Sequence, residues 1–255
     1  MPTRLSVNVN KIATLRNARG GNLPDVLQTS LDIVSFGAEG ITVHPRPDER
    51  HIRRQDVYDI SHALCAKHPG IEFNIEGYPS TDFLDLVCEV GPHQCTLVPD
   101  PPHVLTSNAG WQVARNEARL IEVMQQLHEA QVRTSIFIDV FNFTDEDMES
   151  LVKTESDRVE LYTERYAREW RTDTGETTLE RYAAVAGLIS QAGIALNAGH
   201  DLNLSNITAY IKAIPQTVEV SIGHALICDA LYLGLQQTIV KYLACLRNPD
   251  ITYPQ

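Results

Sequence analysis

The chain has 255 residues, 43% hydrophobic and 21% charged, with 21 Lys and Arg against 33 Asp and Glu for a formal net charge of -12. That size suits one α/β domain over residues 1–255, and the balance of apolar and charged residues excludes an intrinsically disordered chain. The acidity opposes binding to nucleic acid or an anionic membrane, yet the first 54 residues hold eight Lys and Arg against five Asp and Glu, a local basic region suited to a small phosphorylated metabolite. The amino terminus lacks the apolar run of a signal peptide and no stretch approaches 18 apolar residues, so a cytoplasmic protein is expected. Cys65, Cys88, Cys95, Cys228 and Cys245 include no Cys-x-x-Cys pair. They predict reduced, mostly buried thiols rather than disulfides or a thiolate zinc site.

Short β-rich apolar runs alternate with stretches of helical period. Strands are predicted at 5–10, 40–44, 72–76, 94–98, 134–139, 158–162, 194–197 and 219–222, and helices near 23–36, 53–67, 80–90, 115–130, 145–155, 177–192, 203–213 and 225–246. Eight such pairs predict a closed (β/α)8 TIM barrel. An open doubly wound sheet normally carries a Gly-x-Gly-x-x-Gly turn after its first strand, which Arg19-Gly20-Gly21-Asn22 does not supply. Loops are expected after the fourth strand, opened by Pro99-Asp100-Pro101-Pro102, and at 163–175 after the sixth.

In such a barrel the residues closing the strands face the active-site mouth. In chain order these are Asn8 and Asn10, His44, Glu76, Pro99, Asp139, Glu160 with Thr163, His200 and His224. So many histidines and acids at strand ends favour catalysis over simple capping. Glu76 follows Phe73-Asn74-Ile75, and if turned inward among histidines it can transfer protons near neutral pH. The seventh and eighth strands end alike, in Asn197-Ala198-Gly199-His200 and Ser221-Ile222-Gly223-His224. Each places Gly-His between a strand and a helix, where a close backbone approach and a helix N-terminus can bind phosphate; tight turns alone are the alternative. The ten residues Pro45–Arg54 carry Arg46, Arg50, His51, Arg53 and Arg54, of which Arg46 is best placed for the mouth. Arg16 and Arg19 follow the first strand, so two basic clusters suggest two phosphates. No ligand spacing typical of a metal site is present.

Taken together, Ile12–Gly20, Gly40–Arg46, Arg50-His51-Ile52, Asn74-Ile75-Glu76, Leu97-Val98-Pro99, Asn197–His200 and Ile222–Ala225 resemble the pyridoxine 5'-phosphate synthase family over nearly the whole chain. The resemblance implies condensation of 3-amino-2-oxopropyl phosphate with 1-deoxy-D-xylulose 5-phosphate to give pyridoxine 5'-phosphate, phosphate and water, without a redox or metal cofactor. It implies His44 and Glu76 as proton acceptors and His200 as proton donor. Asn8, Arg46, His51 and Thr106 correspond to contacts with the deoxyxylulose phosphate, and Arg19, Gly223 and His224 to contacts with the amino-ketone phosphate. It further implies a lid in the loop that holds Thr106, and a homo-oligomer, commonly an octamer, in which an arginine such as Arg19 completes a neighbouring site. This chain departs from the family pattern twice. Asn10-Lys11 replaces a common Asp-His, and Asp201 replaces a common glycine, leaving its backbone N–H to meet a phosphate. A catalytically silent barrel that binds phosphorylated metabolites, or another sugar-phosphate lyase or isomerase, stays open on the residues alone.

Overall fold

The computed structural model describes residues 2–99, 109–248, 250, 251 and 253. Its strands are β1 (Arg4–Asn8), β2 (Gly40–Val43), β3 (Glu72–Gly77), β4 (Gln94–Leu97), β5 (Arg133–Ile138), β6 (Arg158–Tyr162), β7 (Ala195–His200) and β8 (Thr217–Ile222). They pair in that order, all parallel, and β8 closes on β1. The period-2 alternation along each strand explains the closure. Leu5, Val7, Ile41, Val43, Ile75, Leu97, Ile136, Ile138, Val159, Leu161, Leu196, Val220 and Ile222 are all buried in the main apolar cluster, which lies between the barrel and its helices.

The opposite faces of the strands fill the barrel with polar groups, where bulky aliphatic residues are usual. At the floor, Glu72 is held by Arg133 at 2.5 Å, Arg4 at 2.7 Å and Arg158 at 3.1 Å. Because Arg158 stands on β6 and Glu72 on β3, that contact crosses the lumen. Above it, Ser6 and Thr42 share a 2.8 Å hydrogen bond, Asn74 Nδ2 donates to Thr42 Oγ1 at 3.3 Å, and Thr96 Oγ1 donates to Asn74 Oδ1 at 3.1 Å. The next inward step along β1, β2 and β3 reaches Asn8, His44 and Glu76, so the mouth is the top tier of one polar column.

The helices are α1 (Asn10–Asn17), α2 (Val26–Ser35), α3 (Arg54–Lys67), α4 (Thr81–Val90), α5 (Glu117–Glu129), α6 (Asp145–Lys153), α7 (Glu164–Glu169), α8 (Gly175–Gln191), α9 (Ile207–Ala213), α10 (His224–Leu233) and α11 (Leu235–Arg247). Their ends follow local chemistry. Asp25 accepts the Gln28 N–H at 2.9 Å, and Thr144 with Asp147 forms a capping box on α6; such caps contribute about 1 kcal/mol each. Three features differ from the sequence prediction. The first strand stops at Asn8, and Asn10 opens the additional helix α1. The region 163–175 contains α7 instead of being all loop. The single helix predicted at 225–246 is two, broken at Gly234, whose φ of +79° favours glycine. The thiols are all free, but only Cys95 and Cys245 are buried, so "mostly buried" fails for Cys65 and Cys228, which are exposed, and for half-buried Cys88.

Arg16 also departs from expectation. It is 1% exposed and forks onto Asp56 of α3, with Nη1–Oδ1 at 2.5 Å and Nη2–Oδ2 at 2.9 Å, while Nη2 also donates to the His51 carbonyl at 3.1 Å. It ties α1 to the start of α3 and is not a spare cation for phosphate. Removing the guanidinium takes the charged partner from a largely buried carboxylate. Arg16→Ala is therefore expected to lower unfolding stability by about 3 kcal/mol, measured by urea denaturation; a loss below about 1 kcal/mol would remove this tether role.

Candidate active site

The carboxyl ends of the strands surround a cavity of about 310 Å³ lined by Asn8, Asn10, Lys11, His44, Arg46, His51, Glu76, Val98, Phe137, Glu160, His200, Asp201, Ser221, Gly223 and His224. The cavity brings together nine of the eleven residues that the resemblance points to, namely His44, Glu76, His200, Asn8, Arg46, His51, Asp201, Gly223 and His224; of the other strand-end candidates Asn10 and Glu160 line it, and Pro99, Asp139 and Thr163 do not. Arg19 lies on the exposed turn after α1 and does not line this space. Thr106, with the proposed lid around it, falls outside the described residues.

Each member is set by its element. Asn8 ends β1, and its Nδ2 donates to Glu76 Oε2 at 3.2 Å while its Oδ1 accepts the Asn10 N–H at 3.0 Å. Asn10 Oδ1 in turn accepts the His44 backbone N–H at 3.0 Å, so the start of α1 holds the end of β2. His44 is 8% exposed and Arg46 is 5% exposed. Of the other cluster members, Arg50 pairs with Asp48 at 2.6 Å, and Asp56 accepts the Arg53 backbone N–H at 2.7 Å. Arg46 is thus the one arginine of that run on the cavity wall.

The two Gly-His motifs diverge despite their matching sequences. Gly223 immediately precedes α10, so His224 opens a helix as expected. Gly199-His200 still belongs to β7, and six residues separate His200 from α9. Gly199 leaves room for Glu160, because a Cβ there would stand 2.1 Å from Glu160 Oε1 and displace that carboxyl group. His200 has φ +94°, a conformation that is costly for a non-glycine residue. Its ring meets Tyr162 edge-on at 5.1 Å and its Nδ1 contacts Asp201 Oδ2. The Asp201 N–H, expected to face a phosphate, points to Thr163 Oγ1 at 3.4 Å.

Burial dominates the electrostatics and acts oppositely on acids and bases. It lowers His44 well below its ordinary range, helped by Arg46, His51 and Arg50, so the imidazole is neutral and able to accept a proton. His51 is pushed down to about 4 by burial, Arg46 and Lys11. Burial raises Glu76 to about 7, against the opposing pull of His200. Glu160, 2% exposed, is held well above the carboxylate range by burial and then by Glu76 and Glu219. Its Oε2 has no hydrogen-bond partner among the described residues. Burial also opposes charge on His200, but Asp201 and Glu76 outweigh it and raise its value. The cavity therefore offers a neutral base, an acid poised near neutrality and an imidazole whose hold on its proton is strengthened by neighbouring carboxylates. Glu160 was legible as a strand-end acid, and its place between apolar Val159 and Leu161 marks it as inward-facing. Lys11 was harder to place, since an exposed lysine after a strand carries no signature of a site. No group of three or more His, Cys, Asp and Glu among the described residues is arranged to hold a metal ion.

A closed parallel barrel with proton-transfer groups and cations gathered at the carboxyl ends of its strands belongs to the (β/α)8-barrel enzyme class. The fold alone is shared with the 3-keto-L-gulonate-6-phosphate decarboxylase of Vibrio cholerae, at TM-score 0.65 and 16% identity over 100% of both chains. It is likewise shared with a tryptophan synthase structure from M. tuberculosis, at TM-score 0.67 and 12% identity over 96% of this chain and 94% of that one. At the sequence level, residues 5–248 match the family described as pyridoxal phosphate biosynthesis protein PdxJ, and the chain belongs to that family. It is 56% identical to the pyridoxine 5'-phosphate synthase of Porphyromonas gingivalis, covering 94% of this chain and 97% of that protein. Identity to the Phocaeicola vulgatus pyridoxine 5'-phosphate synthase is 55%, covering 96% of this chain and 100% of that protein.

The value near 7 for Glu76 lies above the ordinary 4.5, so the folded state holds this proton more tightly than the unfolded chain. The stability it contributes is complete below about pH 4.5 and is lost as pH rises through 7. Glutamine does not titrate. Glu76→Gln should therefore gain stability relative to the unaltered protein between pH 4.5 and 7 and level off above that. Urea unfolding at a series of pH values checks this, and a pH-independent difference would contradict the buried position of the acid.

Proposed function

We propose that this chain catalyses pyridoxine 5'-phosphate synthesis in vitamin B6 biosynthesis, condensing 3-amino-2-oxopropyl phosphate with 1-deoxy-D-xylulose 5-phosphate and releasing phosphate and water. Family membership carries the activity class. The observation that supports these residues as its agents is one cavity lined by neutral His44, by Glu76 with a value near 7, by His200 with a raised value, and by Arg46. Amine addition to a ketone, loss of water, elimination of phosphate and ring closure each move protons on and off carbon and oxygen. His44, favoured neutral, serves as acceptor; Glu76, near its midpoint at neutral pH, accepts through its ionised fraction; and the raised value of His200 suits it to be the donor. A substrate that brings its own amine needs no lysine for imine formation, which leaves Lys11 to stabilise anionic oxygen.

Asn8, Arg46 and His51 would hold the deoxyxylulose phosphate. Gly223 and His224 would hold the amino-ketone phosphate at the N-terminus of α10, where free N–H groups meet the anion. Arg19, on its exposed turn, reaches a neighbouring site in this reading, while the Thr106 contact implied by the resemblance lies outside the described residues. Self-association is supported by the apolar end of α10, where Leu231 is 75% and Tyr232 91% exposed; the octamer common in the family is the proposed assembly. Among the described residues no helix is long and apolar enough to cross a membrane, and a cytoplasmic location is proposed. A silent metabolite-binding barrel is less well supported, because binding alone needs the cations and not three tuned proton-transfer groups.

Purified protein given both substrates should form pyridoxine 5'-phosphate and release phosphate, and omission of either substrate should abolish both signals. Folded protein that binds phosphate but forms no product would overturn the activity. His44→Ala, Glu76→Gln and His200→Ala are each expected to lower kcat by about 100-fold or more. Arg53→Ala, at the start of α3, should leave kcat within about twofold, since surface changes of this kind are usually close to neutral.

A further inference from the structure

The carboxylate of Asp201 has no role in the reading above, yet it makes the most direct polar contact with an assigned proton-transfer group. β7 ends at His200, whose φ of +94° swings the chain so that two consecutive side chains face each other. Asp201 Oδ2 thereby meets His200 Nδ1. The surrounding backbone fixes the pair. Thr163 Oγ1 donates to the Gly199 carbonyl at 2.6 Å and accepts the Asp201 N–H at 3.4 Å, while Asn203 Nδ2 donates to the Asp201 carbonyl at 3.4 Å. Tyr162 of β6 stands edge-on to the imidazole at 5.1 Å.

We propose that Asp201 is a positioning residue for His200: its carboxylate locks the ring orientation and retains the proton that His200 delivers from Nε2. The inference rests on the donor role proposed for His200. A hydrogen bond at one ring nitrogen decides which nitrogen serves the substrate, and a carboxylate partner stabilises the imidazolium. The charged groups around His200 are Asp201 on its own segment, Glu76 from β3 and Lys11 from α1. Lys11 opposes the imidazolium and Glu76 favours it. Glu76 is itself near its midpoint at neutral pH, so its help varies with protonation. Asp201 supplies a second carboxylate, in direct contact with Nδ1.

Asp201→Asn removes the charge while keeping a side chain of nearly the same shape, so it separates charge from packing. The test has two readouts on the full-length protein. NMR titration of the histidine side chains, with the His200 signal assigned by its loss in His200→Gln, measures the proton directly. His200 of the unaltered protein should titrate above the ordinary 6.5, and its midpoint should fall in Asp201→Asn. In steady-state assays kcat of Asp201→Asn should drop about tenfold at pH 8 yet stay within about twofold at pH 6, with KM for both substrates little changed. A His200 midpoint at or below 6.5 in the unaltered protein, or one unmoved by the substitution, overturns the proposal without touching the synthase reading. A midpoint that falls while the alkaline kcat limb stays fixed overturns the donor role of His200, and with it the catalytic part of this assignment. Raised KM with both pH readouts unmoved would instead make Asp201 a substrate contact.

Discussion

The structure depends on holding a column of polar side chains inside a closed sheet. Its anchor is Glu72, gripped at the barrel floor by Arg4, Arg133 and Arg158 from three other strands. An isolated charge at that depth would be too costly, and a carboxylate compensated by several guanidinium groups avoids that cost. The network also constrains register. Shifting one strand by a residue would turn its apolar face into the lumen and its charged member into the layer under the helices. The mouth residues Asn8, His44 and Glu76 occupy the same inward-facing rows as the floor and middle groups. Their placement therefore follows from the same alternation that closes the barrel.

Such an interior makes desolvation the common cause behind the site's chemistry. One environment turns His44 and His51 into neutral imidazoles and Glu76 and Glu160 into proton-holding acids. The exception is His200, where a local carboxylate overcomes burial. A site that needs both a proton acceptor and a proton donor from the same residue type gains that difference from a single neighbour.

Much of this was legible in the chain. Short β-rich apolar runs marked all eight strands, and strand-end identity together with the Gly-His and arginine motifs marked most of the cavity wall. What escaped has physical reasons. The two Gly-His motifs read alike, but local sequence does not show that Glu160, some forty residues earlier, occupies the space beside Gly199. Arg16 looked like a phosphate ligand because its partner Asp56 is distant in sequence and only folding brings them together. The break at Gly234 was hidden by a helical apolar period that runs through both α10 and α11. Asn10 was read as part of the strand, although its side chain instead links the start of α1 to the end of β2.

The close fit between Gly199 and Glu160 constrains how this barrel can change. The space that a side chain at 199 would need is already taken by the carboxyl group at 160. A larger residue at 199 becomes admissible only if position 160 shortens or turns away, and shortening it withdraws an acid from the cavity wall. The two positions are thus coupled, and a route that alters β7 here must also displace or shorten the proton-bearing group on β6.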